Sequence, residues 1–376
     1  MDQHSKAEII RKYRQEYRRA PKSEKTRIIT IVCETTGYCR KHIIRALNKT
    51  VDIPKRLHRA RVSRYELIIK PLRRIWAISN FLCGKRLTPF LPTLLPSLKC
   101  HHEIEIAEEE EALLLSIIPA TIDRLLAPAR KGLVLKGRST TKPGTLLKHQ
   151  ISIRTSADWN EDAPGFLEID LVAHCGDSVR GEYINTLDMT DVATGWTVCT
   201  AFMGRSERFC VEAIRQVTPS FPFPIRGIDS DNGSEFINAH LQRYCHSNSI
   251  LFTRGRANKK NDSCYVEQKN WDVVRKMIGY CRLDTYQQLE VLNRIHNLMS
   301  LYQNYFQPSQ KLVSKERTGA KVKKQYDLAQ TPCQRLMARD DLPEQTTGSL
   351  TQTYPGLKPA QLIRDVETLV EYLHQL

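Results

Sequence analysis

Apolar positions recur at helical spacing through the first fifty residues and again between residues 64 and 130; strand-like runs begin only at Gly165. In residues 1–50 the spacing predicts three short helices. Ser5 to Glu8 fits a capping box ahead of Ile9, Ile10, Tyr13 and Tyr17. A second helix from about Ser23 carries Ile28, Ile29 and Val32, and Gly37 supplies the positive φ that breaks it. A third, about Cys39–Asn48, turns Ile43, Ile44 and Leu47 inward and leaves Arg40, Lys41, His42, Arg45 and Asn48 on its other faces. Helix, glycine turn, basic helix is the order of a helix-turn-helix DNA-binding domain. An ordinary three-helix bundle with exposed charge has the same pattern.

Residues 51–63 form a basic linker without periodicity. Residues 64–130 are helical again and predict a second, helix-turn-helix-like domain. Leu67, Ile68, Leu72, Ile75 and Trp76 mark one amphipathic helix. The run LTPFLPTLLP, interrupted by three prolines, predicts only short helical pieces. Glu108 to Glu111 suit the first turn of a helix, whose dipole favours negative charge. Pro119 fits a first helical position, with Ile122, Leu125 and Leu126 turned inward. Thr121, Asp123 and Arg124 then stand as candidate base readers, unless this is a packing helix. Residues 131–164 read as a basic linker.

From Gly165 the runs FLEIDLVAH, EYINTLDM and GWTVCTAF predict strands, the last two joined by the turn TDVATG. A helix (about Ser206–Val217), the strand PIRGID, a helix (about Ser234–Ser247), the strand ILFTR and a helix carrying Glu267 complete the order β-β-β-α-β-α-β-α. A long helix covers about Thr285–Phe306. Residues 309–376 are a basic C-terminal extension that ends in an amphipathic helix. Leu362, Val366, Leu369, Val370 and Leu373 form its apolar side, which packs on its own chain or on a partner. The chain is thus multidomain: an all-α N-terminal region, an α/β core over 165–308 and an extension.

Charge sharpens this division. Residues 1–100 hold 24 Lys and Arg against 7 Asp and Glu, whereas the remainder holds 33 against 34. Basicity concentrated in one helical quarter points to nucleic acid. No uninterrupted apolar run is long enough to span a membrane, and the charged N-terminus is unlike a secretory signal, so a cytoplasmic protein is expected. The 11 cysteines form no Cys-x-x-Cys pair, which argues against a zinc ribbon or a disulfide framework.

The chemistry-bearing residues are carboxylates. Asp170 closes the run GFLEID, Asp231 sits in the turn SDNG after PIRGI, and Glu267 follows with 35 residues between it and Asp231. Oxygen donors from three separate elements suit hard divalent cations, Mg²⁺ or Mn²⁺, and two such ions serve phosphoryl transfer. Glu168 and Asp229, each two residues earlier on the same strand face, are candidate auxiliary ligands. Asn270, one helical turn from Glu267, is placed to reach DNA or to steady a carboxylate. Lys269 and Arg275 are candidate phosphate contacts. Arg254, Arg256, Lys259 and Lys260, in the loop before Glu267, are candidates for gripping a DNA end. No Ser-His-Asp or Cys-His motif and no nucleotide-binding P-loop is present.

The motifs FLEID, SDNGSEF and VEQKN, with the 35-residue interval, resemble the retroviral-integrase-like DDE transposases of bacterial insertion sequences. The resemblance covers roughly Gly165 to Pro308. It implies an RNase H-like core with Asp170, Asp231 and Glu267 as catalytic, metal-binding triad. It also implies cleavage at transposon ends, transfer of the freed strand to target DNA, and a homo-oligomer on double-stranded DNA near the nucleoid. Trp271 departs from the pattern, standing where a Lys is common. A catalytically silent DNA-binding regulator and a stand-alone RNase H-like nuclease remain the alternatives.

Overall fold

The structure, a computed structural model, describes residues 1–49, 64–130, 152–153, 163–231, 233, 235–255 and 264–376; for Ser152, Ile153, Cys264 and Glu267 only the backbone is described. The chain divides into two compact units, Met1–Glu66 and Leu67–Leu376.

The first unit is the expected three helices: α1 (Gln3–Arg19), α2 (Lys22–Thr36) and α3 (Arg40–Asn48). The cap of α1 is Asp2 rather than Ser5: its carboxylate accepts the Ser5 N–H at 2.7 Å, so the helix starts one turn earlier than the capping-box reading placed it. Gly37 ends α2 at φ 70°. Ile10, Tyr17, Ile28, Ile29, Val32, Ile43 and Leu47 form the core. Arg14 and Arg18 of α1 donate to the carbonyls of Ala46 (3.0 Å) and Lys49 (2.9 Å), which satisfies acceptors left over at the end of α3.

In the second unit, α4 (Ile69–Ile78) buries Leu72, Ile75 and Trp76, while Leu67 is exposed, against expectation. The proline-rich run departs further: α5 (Gly84–Cys100) is one continuous 17-residue helix containing Pro89, Pro92 and Pro96. Its apolar stripe explains this. Leu87, Phe90, Leu91, Leu94, Leu95 and Leu98 are all buried. Pro92 and Pro96 lie on the exposed side, where water can solvate the carbonyls their missing N–H groups leave free. Tertiary burial thus overrides local propensity. The helices α6 (Glu108–Ser116) and α7 (Pro119–Arg130) follow. Pro119 begins α7 as expected, and its carbonyl packs so closely on Gly84 that a Cβ there would lie 2.2 Å away. Thr121 is buried, and Asp123 accepts from the Gly84 N–H at 2.9 Å and from Arg130 at 3.0 Å. Neither is therefore presented as a reader; Arg124 is exposed.

A six-stranded mixed sheet follows: β1 (Ser152–Ile153), β2 (Phe166–Ala173), β3 (Ile184–Asp191), β4 (Thr197–Met203), β5 (Gly227–Ser230) and β6 (Leu251–Arg254), in spatial order β1-β6-β5-β2-β3-β4. β1, β6, β5 and β2 run parallel, and β3 and β4 continue antiparallel. The expected order of strands and helices holds, with α8 (Glu207–Val217) and α9 (Ala239–Ser247) flanking β5 in sequence. β1 is an addition: two residues inside the stretch read as linker pair with β6. The helix that carries Glu267 begins as α10 (Cys264–Lys269), widens into a π-helical turn (Asn270–Arg275) and ends as α11 (Lys276–Ile278).

The long helix α12 (Tyr286–Phe306) covers edge strand β4. Asn293 bonds both backbone groups of Ala201, and Asn304 both backbone groups of Thr197, at 2.7–3.1 Å. An open sheet edge is thereby closed by side chains. The extension forms a hairpin, β7 (Leu312–Thr318) and β8 (Lys321–Tyr326), then α13 (Pro332–Met337), α14 (Glu344–Thr353) and α15 (Pro359–Gln375). The terminal helix packs on its own chain, against α12 and α4, and Arg364 holds Glu103 with two bonds of 2.9 and 2.7 Å. Residues 67–130 thus share one unit with the sheet, where the sequence suggested a separate domain.

Candidate active site

Register builds the site. Strand alternation puts Glu168 and Asp170 on one face of β2. Parallel pairing of Glu168 with Asp229 and of Ile169 with Ser230 brings Asp170 and Asp231 side by side where β5 ends. Asp170 does not end its own strand, as the sequence suggested; β2 runs on to Ala173 and pairs Asp170 with Asp188 of β3.

Asp170 Oδ2 accepts from Asn270 Nδ2 at 2.6 Å and Oδ1 from the Leu171 N–H at 2.8 Å. Burial, then the negative charge of Asp231, pushes the Asp170 carboxyl well above the usual carboxylate range. Asp231 Oδ1 accepts the Gly233 N–H at 2.8 Å, the turn expected of SDNG. Two carboxylates crowded in this way are stabilised by a divalent cation, so the donor set fits Mg²⁺ or Mn²⁺. Among the described residues no three His, Cys, Asp or Glu side chains are arranged to hold a metal ion. The third expected ligand, Glu267, has its backbone in α10, and its side chain is outside the described atoms.

The auxiliary carboxylates have other tasks. Glu168, with no solvent exposure, accepts the backbone N–H of Tyr265 (2.8 Å) and Val266 (3.0 Å), and so caps the helix that bears Glu267. Asp229 accepts from the Thr253 hydroxyl on β6. Asp188 was not anticipated. It is buried opposite Asp170, accepts from Thr190 at 3.0 Å, and burial pushes its carboxyl up to about 7. Its one sequence signal is a carboxylate between the apolar Leu187 and Met189 inside a strand.

Lys269 is 7% exposed, and burial lowers its ammonium to about 8 against the pull of Asp272 and Asp188. Its expected phosphate contact is corrected to a buried counter-charge beneath the helix. Arg254 is 8% exposed at the end of β6, so it too is unavailable to a DNA end here. Arg275 donates to the carbonyls of Ala173 (2.8 Å) and Gly279 (3.3 Å). Asn270 takes the carboxylate-steadying role of the two suggested for it. Arg256, Lys259 and Lys260 lie outside the described residues. Arg40, Lys41, His42 and Arg45 are all exposed on α3.

The model of the integrase core domain matches residues 161–260, the stretch that contains Asp170, Asp231 and their strands. The chain belongs to the integrase-core family. Over its length it is 37% identical, across 324 residues, to the uncharacterized protein y4rM of Sinorhizobium fredii (strain NBRC 101917 / NGR234), covering 86% of this chain and 92% of that protein. Among solved structures, this integrase-core protein is similar to the simian T-cell lymphotropic virus intasome in complex with PP2A regulatory subunit B56 gamma (13% identity, 66% of this chain and 76% of that one, TM-score 0.35). It is also similar to the HTLV-2 integrase catalytic core domain in complex with magnesium (16% identity, 39% and 90%, TM-score 0.30). No single helix among the described residues is long and apolar enough to cross a membrane.

Proposed function

We propose that this integrase-core protein is a DDE transposase of a bacterial insertion sequence, which binds the element's ends and catalyses metal-dependent DNA cleavage and strand transfer. The observation that carries the proposal is the juxtaposition of Asp170 and Asp231 on adjacent parallel strands, beside the helix that bears Glu267. Two Mg²⁺ or Mn²⁺ ions held by these three carboxylates would supply charge to the attacking and leaving oxygens. The protein's own part is positional. Asn270 fixes the Asp170 carboxylate, and Glu168 holds the α10 backbone against β2. In the first reaction a water oxygen bonds to the phosphorus at the element's end and the 3′ oxygen leaves. In the second, the oxygen of that 3′-OH gives up its proton and bonds to a phosphorus of target DNA, and the 3′ oxygen of the adjoining target nucleotide leaves and is protonated.

The exposed cations Arg40, Lys41, His42 and Arg45 of α3 support a reading of α1–α3 as the helix-turn-helix that engages the end. Arg124 on α7, and Arg256, Lys259 and Lys260 before Glu267, are proposed as further DNA contacts. Because two ends must be processed together, the protein would work as a homo-oligomer on DNA.

The test is Mg²⁺- or Mn²⁺-dependent nicking of a labelled duplex carrying the element's inverted end, followed by joining to a second duplex. Nicking that Asp231→Asn and Glu267→Gln abolish supports the proposal, and joining separates transposase from nuclease. A wild-type protein that binds the end and never cuts it leaves the regulator.

A further inference from the structure

The C-terminal end of α4 closes against the Glu267 helix, and its last carbonyls are met in two sets. Those of Ile75, Trp76 and Ala77 accept the backbone N–H groups of Ser79 (2.9 Å), Phe81 (2.9 Å) and Asn80 (3.0 Å), from the corner between α4 and α5. The next three turn to side chains 196 to 228 residues further along the chain. Tyr302 donates to Ile78, Gln307 to Ser79 (3.1 Å) and Lys276 to Asn80 (2.8 Å).

The corner is strained. Asn80 and Phe81 follow one another at φ 52° and 63°, a left-handed conformation that a bulky side chain rarely adopts. Such strain persists only where the surroundings over-determine it. Here they do: the Phe81 ring meets Trp76 edge-on at 4.9 Å, Trp76 Nε1 donates to the Leu82 carbonyl at 2.9 Å, and the Lys276 ammonium stands 5.6 Å from the centre of the Phe81 ring. A second contact comes from the first turn of α5, where Arg86 lies 4.0 Å from Asp272 of the π-helical turn.

Glu267 lies just before the π-helical turn, Asp272 within it and Lys276 just beyond it. A π-turn holds about one residue more than an α-turn, and one residue is about 100° of rotation. Relaxation of the turn to α-geometry would rotate the half that bears Glu267 against the half that bears Lys276. Glu168 holds the first half against β2, and Asn270 holds the start of the turn. The corner holds the second half.

We propose that the α4–α5 corner positions Glu267 by holding its helix beyond the π-turn, with Lys276 as the positioning residue. The inference rests on the transposase reading and gives α4 and α5 a task in it, as a brace for the active site. Their place in one unit with the sheet suits that task. A side chain that ends about 5 Å from the helix axis moves by about 1 Å when the helix turns by about 10°. A misplacement of that size costs about 100-fold where reacting groups must align.

The experiment compares the full-length wild type with Lys276→Met, which keeps the stem and loses the donor, and with Gln307→Met. Gln307 bonds Ser79, Tyr302 and Phe306, so its loss loosens the corner without removing a hydrogen bond to the Glu267 helix. Hydrogen exchange is followed at amides 265–278 without metal or DNA. The Mg²⁺ concentration for half-maximal nicking is measured at saturating end duplex. Both variants should exchange faster over 265–278 with strands β3 and β4 unchanged, and both should need about tenfold more Mg²⁺ while end binding holds. Wild-type exchange and an unchanged Mg²⁺ midpoint in Lys276→Met overturn the brace and leave the transposase reading intact. A change in Lys276→Met with none in Gln307→Met also overturns it, because Lys276 then acts through its own charge and not through the corner. A wild-type chain that never nicks the end defeats the transposase reading; the exchange comparison needs no activity and still supports or overturns the brace.

Discussion

Glu168 Oε2 accepts the backbone N–H of Val266 at 3.0 Å and of Tyr265 at 2.8 Å, joining the strand of Asp170 to the helix of Glu267. The two elements are about a hundred residues apart in sequence, so this contact sets the distance between two of the three proposed metal ligands. Glu168→Gln keeps an accepting oxygen and is expected to fold. Glu168→Leu leaves two helix N–H groups unmet, at about 1–3 kcal/mol each. Beyond the loss of stability, Glu168→Leu should raise the Mg²⁺ concentration needed for half-maximal nicking while end binding holds. A metal titration at constant DNA checks this; an unchanged midpoint in folded Glu168→Leu removes the positioning role.

Asn270 makes a related prediction. Its amide holds Asp170 at 2.6 Å from the first residue of the π-helical turn, a distortion frequent at functional sites. Groups that orient a metal ligand typically matter by about 10–100-fold in metal affinity or activity. Asn270→Ala should therefore weaken metal-dependent nicking by about that factor. Asn270→Asp should be worse, because a third carboxylate beside Asp170 and Asp231 adds repulsion. Single-turnover rates across Mg²⁺ concentration would show the order.

Much of this site was legible in the chain. Asp170 and Asp231 sit in local motifs, and strand alternation alone puts Glu168 with Asp170. What stayed hidden depends on pairing between distant segments. The capping task of Glu168 and the burial of Lys269 need the helix docked on the sheet. Asp188 gains its place from antiparallel register with Asp170, which no local pattern encodes. The fold shows the same limit. Three prolines argued against α5 until Leu87, Phe90, Leu91, Leu94, Leu95 and Leu98 found a core. The β7–β8 hairpin escaped notice because neither face is buried, so its sequence carries no apolar alternation.

The covered edge of β4 gives a stability prediction. Asn304 supplies both an acceptor and a donor to Thr197, at 2.8 Å each. Asn304→Leu preserves approximate volume and removes both bonds. The expected cost is about 1–3 kcal/mol, from the Thr197 N–H left unmet; the Thr197 carbonyl still accepts from the Ser300 hydroxyl at 3.2 Å. Urea unfolding would read it as a lower midpoint with little change in slope. A reopened edge should also promote association, visible by light scattering.

The last prediction concerns acid. His174 Nε2 and His296 Nε2 both lie 2.9 Å from the Thr186 hydroxyl, and all three residues are buried. One hydroxyl proton serves two rings, so one imidazole donates to the oxygen and the other accepts from it; both are neutral. Burial holds His174 well below its ordinary value and His296 down to about 3. A folded-state value below the unfolded one means that the unfolded chain takes up the proton first. The stabilisation is therefore full above about pH 6.5 and is lost progressively as pH falls toward the folded value, by about 1.4 kcal/mol per pH unit for each histidine. Asp170 and Asp188, raised by burial, shift stability the opposite way, so the comparison must be between variants. His296→Gln keeps a polar atom near the Nε2 position and does not titrate. The stability of wild type relative to His296→Gln should be constant from pH 8 to 7 and shrink steadily from pH 6.5 to 4.5. Urea midpoints at each pH measure the difference, and a gap independent of pH would mean that His296 is not held neutral in the folded chain.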